Sequence, residues 1–248
     1  MAKRIKIISL ILILNMVPLC VLCSFSQNSG KTSEELSAAE ILSVVRNSYG
    51  DKSQTFRGEI RPRRIGFKLI PLNITLSSKF IKLEFFESNR SNMKIDEVIE
   101  FKIGDGKHEV TRISGGISEN IGPEKFNDRI RGTDLTYEDL VMRFIEWPSP
   151  KIVAIEKAKG GKAWKIRCAN PDEGKGYAFV DAWVSQRSGA LVRMNGYNAK
   201  NQLVKSFEVD SVQQHKGDWY LEMMNVRTYP ADGKSKPTSS FLKLEIEK

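Results

Sequence analysis

The sequence predicts a mainly β (α+β) chain, laid out as a meandering antiparallel sheet or barrel, and three observations carry that prediction. Short runs of period-two alternation or β-branched residues recur along the 248 residues, about eleven or twelve in all, and Gly, Asn and Asp turn chemistry separates them. Helical periodicity is confined to two places, too little to cover both faces of a parallel sheet. The 40% apolar content suits a single domain around one core, and no solenoid or propeller period is visible.

Residues 1–26 stand apart. Lys3, Arg4 and Lys6 form a basic start, residues 7–14 are almost wholly apolar, and Ser24 and Ser26 supply small residues before Gln27. This reads as a secretory signal peptide cleaved after Ser26. A retained membrane anchor is the alternative, because residues 7–25 approach a spanning length, although Asn15 and Pro18 interrupt them. Bulky Leu19 and Leu22 precede Cys20 and Cys23, which disfavours lipidation there. Removing the segment takes away three cations and no anion, leaving 36 Lys and Arg against 30 Asp and Glu, a net +6. That is mild for a nucleic-acid binder and suits an anionic lipid or cell-wall surface equally well.

Residues 27–36 are polar and read as a flexible segment before a single domain, 37–248. Its first element is a helix: Ser37 and Glu40 form a capping box, and Ala38, Ile41, Leu42, Val45 and Tyr49 recur at helical spacing before Gly50. Strands follow at FRGEIRPR, LNITLSS, FIKLEFF, DEVIEFKI and KHEVTRIS, the last two joined by Gly104-Asp105-Gly106. A helical interlude comes next, weak over residues 123–131 and clearer over 137–146, ending where Trp147-Pro148 forbids continuation. Strands return at KIVAIEK, AWKIRC, YAFVDAWV, ALVRMNGY, LVKSFEVDSV, WYLEMMNVRTY and SFLKLEIEK. Gly160-Gly161, Ser188-Gly189, residues 198–201, Gly217-Asp218 and residues 231–233 supply their turns.

Three carboxylates, Asp134, Glu138 and Asp139, cluster in RGTDLTYEDLVMRF. They read as helix-start chemistry, with Asp134 or Thr136 as the cap and the acids facing the positive helix end. A catalytic pair would need an opposing partner across a cleft. Leu140, Phe144 and Trp147 fall near one face. His108 and His215 lack a GxSxG serine or an HExxH pattern, and Cys168 alone remains beyond the signal segment, so no metal, cofactor or nucleophile site is expected. Arg57, Arg61, Arg63, Arg64 and Lys68 read as a solvated edge strand guarded by charge and Pro62, with a contact surface for lipid headgroups or an acidic partner as the alternative. Without interleaved aromatics they offer no base-stacking surface. Trp147, Trp164, Trp183 and Trp219 join Phe67, Phe85, Phe86, Phe101, Phe144, Phe179 and Phe207 as core material, or as the lining of an apolar cavity if a curved sheet leaves one.

The order of these elements resembles the outer-membrane lipoprotein-sorting proteins, the LolA-like family, over roughly residues 37–247. GTDLTYEDL resembles the family's short acidic helix, and VDAWVSQRSGALVRMNGYNAKNQLVKSFEV its paired strands, with Asn198 and Asn201 where Asp and Gly are usual. GDWYLEM with Thr238 resembles its closing hairpin. The resemblance implies an incomplete antiparallel barrel of about eleven or twelve strands, with a few helices covering the concave face. It implies a non-enzymatic periplasmic binder, monomeric and without cofactor or nucleic acid, whose partners are acyl chains of lipoproteins or lipids, an inner-membrane release complex and an outer-membrane acceptor. Phe67, Leu69, Phe144, Trp147, Trp183 and Phe207 are the candidate cavity lining. FRGEIRPRR does not single out a gating arginine. A sensor or scaffold regulating a membrane partner is the second reading, and an exported hydrolase the third.

Overall fold

A computed structural model describes residues 36–47, 53–64, 66, 68–77, 79–87, 94–102, 109–172, 176–215 and 218–246. The expected signal and flexible segments up to residue 35, Tyr49, Phe67, the Gly104-Asp105-Gly106 turn, His108 and Gly217 lie outside the described residues. Helix α1 (Ala38–Asn47) opens the chain on the expected capping box: the Ser37 amide donates to Glu40 Oε2 at 2.8 Å, and the Glu40 amide donates to Ser37 Oγ at 3.2 Å.

The first run of strands is β1 (Gln54–Pro62), β2 (Ile70–Leu76), β3 (Phe80–Phe86), β4 (Ile95–Lys102), β5 (Glu109–Ser114) and β6 (Ile117–Ile121). The second is β7 (Lys151–Ala158), β8 (Gly161–Ala169), β9 (Phe179–Ser185), β10 (Leu191–Tyr197), β11 (Leu203–His215), β12 (Asp218–Thr228) and β13 (Thr238–Ile246). All lie in one sheet, ordered β6-β5-β4-β3-β2-β1-β13-β12-β11-β10-β9-β8-β7, and every adjacent pair is antiparallel. Each half is a meander, and the halves join where the first strand pairs with the last. Among the described residues the sheet does not close, and β6 and β7 are its two edges.

Two expectations are corrected here. Among the described residues there are thirteen strands rather than eleven or twelve, because ISENI forms β6 across a Gly115-Gly116 turn. Both glycines take positive φ, 57° and 79°, as a tight two-residue hairpin requires. Only Ile121 of that strand is buried, so its alternation is faint. The arginine-rich strand β1 is not an edge: it pairs with β2 on one side and β13 on the other. Pro62 is tolerated because it ends the strand.

One face of the sheet is predominantly apolar, built from alternate residues such as Phe56, Ile60, Ile74, Leu83, Phe85, Phe101, Ile166, Val180, Phe207, Leu221 and Leu242. α1 adds Ala38, Ile41, Leu42 and Val45 to the same cluster. Cys168 lies within it, fully buried, and that burial, with Asp181 nearby, pushes its thiol from the usual 9.0 up to about 12. The folded form therefore holds the thiol proton more tightly than the unfolded chain. Cys168 contributes fully to stability below pH 9.0, and its contribution falls as pH rises from there toward about 12. We expect no reaction with a thiol reagent at pH 8 in buffer, and rapid reaction once urea unfolds the chain.

Candidate functional site: a lid over the inner face

Residues 122–150 carry the chain from one free edge of the sheet to the other. They include α2 (Tyr137–Val141) and 3-10 turns at Pro123–Lys125, Ile130–Gly132 and Arg143–Glu146. Eight of their apolar side chains, Phe126, Ile130, Leu135, Tyr137, Leu140, Met142, Phe144 and Trp147, are buried against the inner-face cluster. The segment is a lid.

Its helix is shorter than the expected 137–146. Met142 adopts a left-handed conformation, φ 50° and ψ 40°, while its amide still donates to the Glu138 carbonyl. The chain then re-aims through the 3-10 turn, and this lets Phe144 and Trp147 both point inward. Thr136 is the cap: its hydroxyl accepts from the Asp139 amide and Asp139 Oδ2 accepts from the Thr136 amide, a complete capping box. Asp134 has a different task.

The lid is attached through polar groups placed in the apolar phase of three strands. Ser240 on β13 alternates with Leu242 and Leu244, and its hydroxyl donates to Asp134 Oδ2 at 2.8 Å while accepting from the Asp134 amide at 3.0 Å. Thr238 donates to the same carboxylate, and Arg64 and Arg129 lie 3.2 Å and 3.5 Å from Oδ1. Lys205 on β11 alternates with Phe207 and Val209. Its ammonium lies 3.2 Å from Asp139 Oδ2 and donates to the Asp134 carbonyl, at 5% exposure for the whole residue. Tyr177 Oη donates to Asp139 Oδ1 at 2.6 Å, and burial, followed by Asp139, raises that phenol well above its usual range. Glu97 on β4 alternates with Ile99 and Phe101; its nearest partner is Arg112 on β5 at 3.1 Å, and it also lies 3.7 Å from the lid's Arg131, whose own nearer partner is Asp96 at 2.7 Å. Glu138 pairs with Arg143 inside the lid.

These buried charges are individually weak evidence for stability, because desolvation offsets their attraction. They do fix one docking geometry for the lid, since an acid moved off its cation stays buried and unpaired. Gly196 helps hold that geometry. A methyl group on it would sit 2.6 Å from the Tyr177 ring. Gly196→Ala is therefore expected to push Tyr177 off Asp139 and cost about 1–3 kcal/mol, read as a lower urea midpoint at an unchanged slope.

Beneath the lid, the described side chains of the inner-face cluster are tightly buried. The gap between α1, the lid and β3–β5, lined by residues including Ile81, Phe101, Leu140 and Ile145, holds about 40 Å³. A cavity of about 10–15 Å³ on this scale holds one water, so the gap has room for a few waters and none for an acyl chain.

The candidate lining residues divide. Phe144, Trp147 and Phe207 come together in the inner cluster. Leu69 is half-buried at the rim, in a groove of about 340 Å³ with Lys68, Pro71, Phe86, Glu97 and Arg131. Phe67 is outside the described residues. Trp183 is on the other face of the sheet, in a small cluster with Ala158, Ala163, Ala190 and Val192, its ring flanked by Lys165 at 4.9 Å and Arg193 at 5.4 Å. Val180, Ala182 and Val184 take the inward phase of β9, which sends Phe179, Asp181 and Trp183 outward. Among the described residues no cluster of three or more His, Cys, Asp or Glu could hold a metal ion.

Solved structures share this architecture. A DUF1329 family protein from Desulfovibrio piger aligns with a TM-score of 0.69 at 12% identity, over 84% of this chain and 89% of that one. A putative outer membrane lipoprotein-sorting protein domain from Vibrio parahaemolyticus gives 0.68 at 15%, covering 87% and 94%. A LolA superfamily protein from Nitrosomonas europaea gives 0.59 at 13%, covering 85% and 92%. No curated protein matches the chain. The unclosed antiparallel barrel with few helices is a LolA-like fold, as the order of motifs implies. A family model described as "Uncharacterized protein" matches residues 118–246, more than half of the chain, and the chain belongs to that family.

Proposed function

We propose that the chain is a periplasmic carrier that binds acyl chains of lipoproteins or lipids under its lid during outer-membrane lipoprotein sorting, and that it is not an enzyme. The observation that carries this reading is a predominantly apolar inner face roofed by one segment, residues 122–150, which buries eight apolar side chains against it and is positioned by a few buried polar pairs. Each buried methylene of a guest is worth about 0.8 kcal/mol. Each of the lid's eight apolar side chains is worth about 1.5–3 kcal/mol on burial. An empty open state is thus costly, and an acyl chain that takes the lid's place on the inner face offsets the cost. The carrier rests closed and opens with its cargo. The carboxylates of the lid are engaged in structural pairs, which supports a binding role over hydrolysis.

The tightly buried inner-face cluster also favours a second reading, a sensor or scaffold in which the lid's outer surface meets a membrane partner and no cargo enters. Lipid extraction and native mass spectrometry of the purified mature protein separate the two. Acyl-bearing ligand, or uptake of a fluorescent acyl probe, supports the carrier; a clean protein that takes up no probe supports the scaffold. N-terminal sequencing beginning at Gln27 is the outcome expected of a free carrier, and retention of residues 1–26 that of an anchored sensor. Glu138→Gln with Asp139→Gln is expected to lower stability and to abolish no turnover; loss of a hydrolytic activity without unfolding would revive the enzyme reading.

A further inference from the structure

Among the described residues, every exposed large hydrophobic side chain lies near one of the two free ends of the sheet: Ile95, Ile113 and Ile117 on β4–β6, and Ile152, Val153 and Ile155 on β7. The β6 edge is five residues long and carries Glu119, paired with Lys125 and Arg112. The β7 edge is different. It runs for eight residues without proline, and Ile152, Val153 and Ile155 are 38%, 47% and 54% exposed. The β7–β8 hairpin, residues 151–169, holds Lys151, Lys157, Lys159, Lys162, Lys165 and Arg167 against Glu156 alone. Its register sets Lys151 opposite Arg167 and Lys157 opposite Lys162. Like charges directly opposite each other on neighbouring strands are destabilising. Asp181 takes up Arg167 and Lys165, and Glu208 and Asp210 take up Lys159. Lys151, Lys157 and Lys162 are exposed and form no ion pair among the described residues.

We propose that β7 is a docking edge for an extended, acidic segment of a partner protein, which adds to the sheet as a fourteenth strand. Three features converge on that occupant. The edge offers a row of backbone donors and acceptors that a strand satisfies. The exposed Ile and Val side chains give an added strand apolar neighbours to pack on. The uncompensated Lys151, Lys157 and Lys162, two of which (Lys157 and Lys162) face each other at a cost to the hairpin, select carboxylates. A second copy of this chain fits poorly, because antiparallel β7–β7 pairing centred on Ala154 sets Lys151 against Lys157. An anionic lipid surface would satisfy the lysines and leave the strand's backbone groups unpaired. The bulge between Ile152 and Ala154 leaves residues 154–158 as the regular part of the edge. This inference does not depend on whether the interior accepts lipid.

The test uses the mature full chain and two labelled peptides matched to β7 in length, one alternating valine with glutamate and one alternating valine with lysine. The acidic peptide is expected to bind by fluorescence anisotropy and to protect amides of residues 151–158 from hydrogen exchange. The double variant Lys151→Glu, Lys157→Glu changes only exposed side chains. It should bind the acidic peptide on the order of tenfold more weakly, the loss that reversing two cross-strand charge pairs implies, and should gain the basic peptide. Failure of the acidic peptide to bind, or protection confined to other strands, overturns the proposal. So does binding to vesicles of phosphatidylglycerol and phosphatidylcholine without peptide binding, or a concentration-dependent dimer that the double variant abolishes.

Discussion

Asp134→Ala should destabilise the protein by about 3–5 kcal/mol, the range for removing one partner from a buried charge network. The carboxylate is fully buried and gathers Ser240, Thr238, Arg64 and Arg129 onto the start of the lid. Alanine takes the acceptor from two hydroxyls and leaves the guanidinium groups facing a void. Asp134→Asn keeps the shape and one acceptor oxygen, and the hydroxyls can rotate to accept from its amide, so a smaller loss of about 1–3 kcal/mol follows. Urea unfolding checks both, with a lower midpoint and an unchanged slope if the native and denatured ensembles keep their extents. If Asp134 were only a helix cap, alanine would cost about 1 kcal/mol and asparagine almost nothing.

Lys205 carries the second large effect. Lys205→Met leaves Asp139 buried without its cation, and a loss of about 3–5 kcal/mol is expected. Asp139→Asn alone leaves a buried ammonium near one amide oxygen and costs a similar amount. The double variant removes both charges and should lose markedly less than the sum, with a coupling of about 0.5–3 kcal/mol in the double-mutant cycle. Simple additivity would mean that the 3.2 Å pair does not connect the lid to β11. The double variant should also take up an acyl probe faster than the wild type, because its lid has lost one of its attachments to the sheet.

Much of the fold is legible from strand phase alone. The meander, the capping box of α1 and most turn positions follow from period-two runs and turn chemistry, down to Asn201 in the left-handed region at φ 58°. Strand phase also held information about the site. Trp183 shares its phase with Asp181, which is enough to send it to the outer face whatever its hydrophobicity. Lys205, Ser240 and Glu97 each sit in phase with apolar neighbours, and a polar residue in the apolar phase of a strand marks a buried partner. The identity of that partner was not legible. Asp134 meets Ser240 across 106 positions of sequence, and Lys205 meets Asp134 across 71. Such pairings are set by where the lid lands on the sheet, which no local pattern encodes. The break at Met142 was hidden for the opposite reason: methionine favours helix, and tertiary packing of Phe144 and Trp147 overrides that preference.

The three carboxylates of RGTDLTYEDL, Asp134, Glu138 and Asp139, are attachment and capping groups of the lid. One carboxylate completes a capping box and takes Lys205 and Tyr177, one pairs within the lid, and one ties the lid to β13. On the proposed reading, a lid attached in this way, with a gap of only about 40 Å³ between it, α1 and β3–β5, admits cargo by moving. The most direct measurement of that claim is photo-crosslinking of a diazirine-bearing fatty acid to the mature protein, with adducts mapped by mass spectrometry. Adducts at Leu140, Phe144, Trp147 and Phe207, lost when a disulfide engineered from the lid to β13 pins it shut, are the predicted result. No uptake, or adducts confined to the outer face around Trp183, would contradict it.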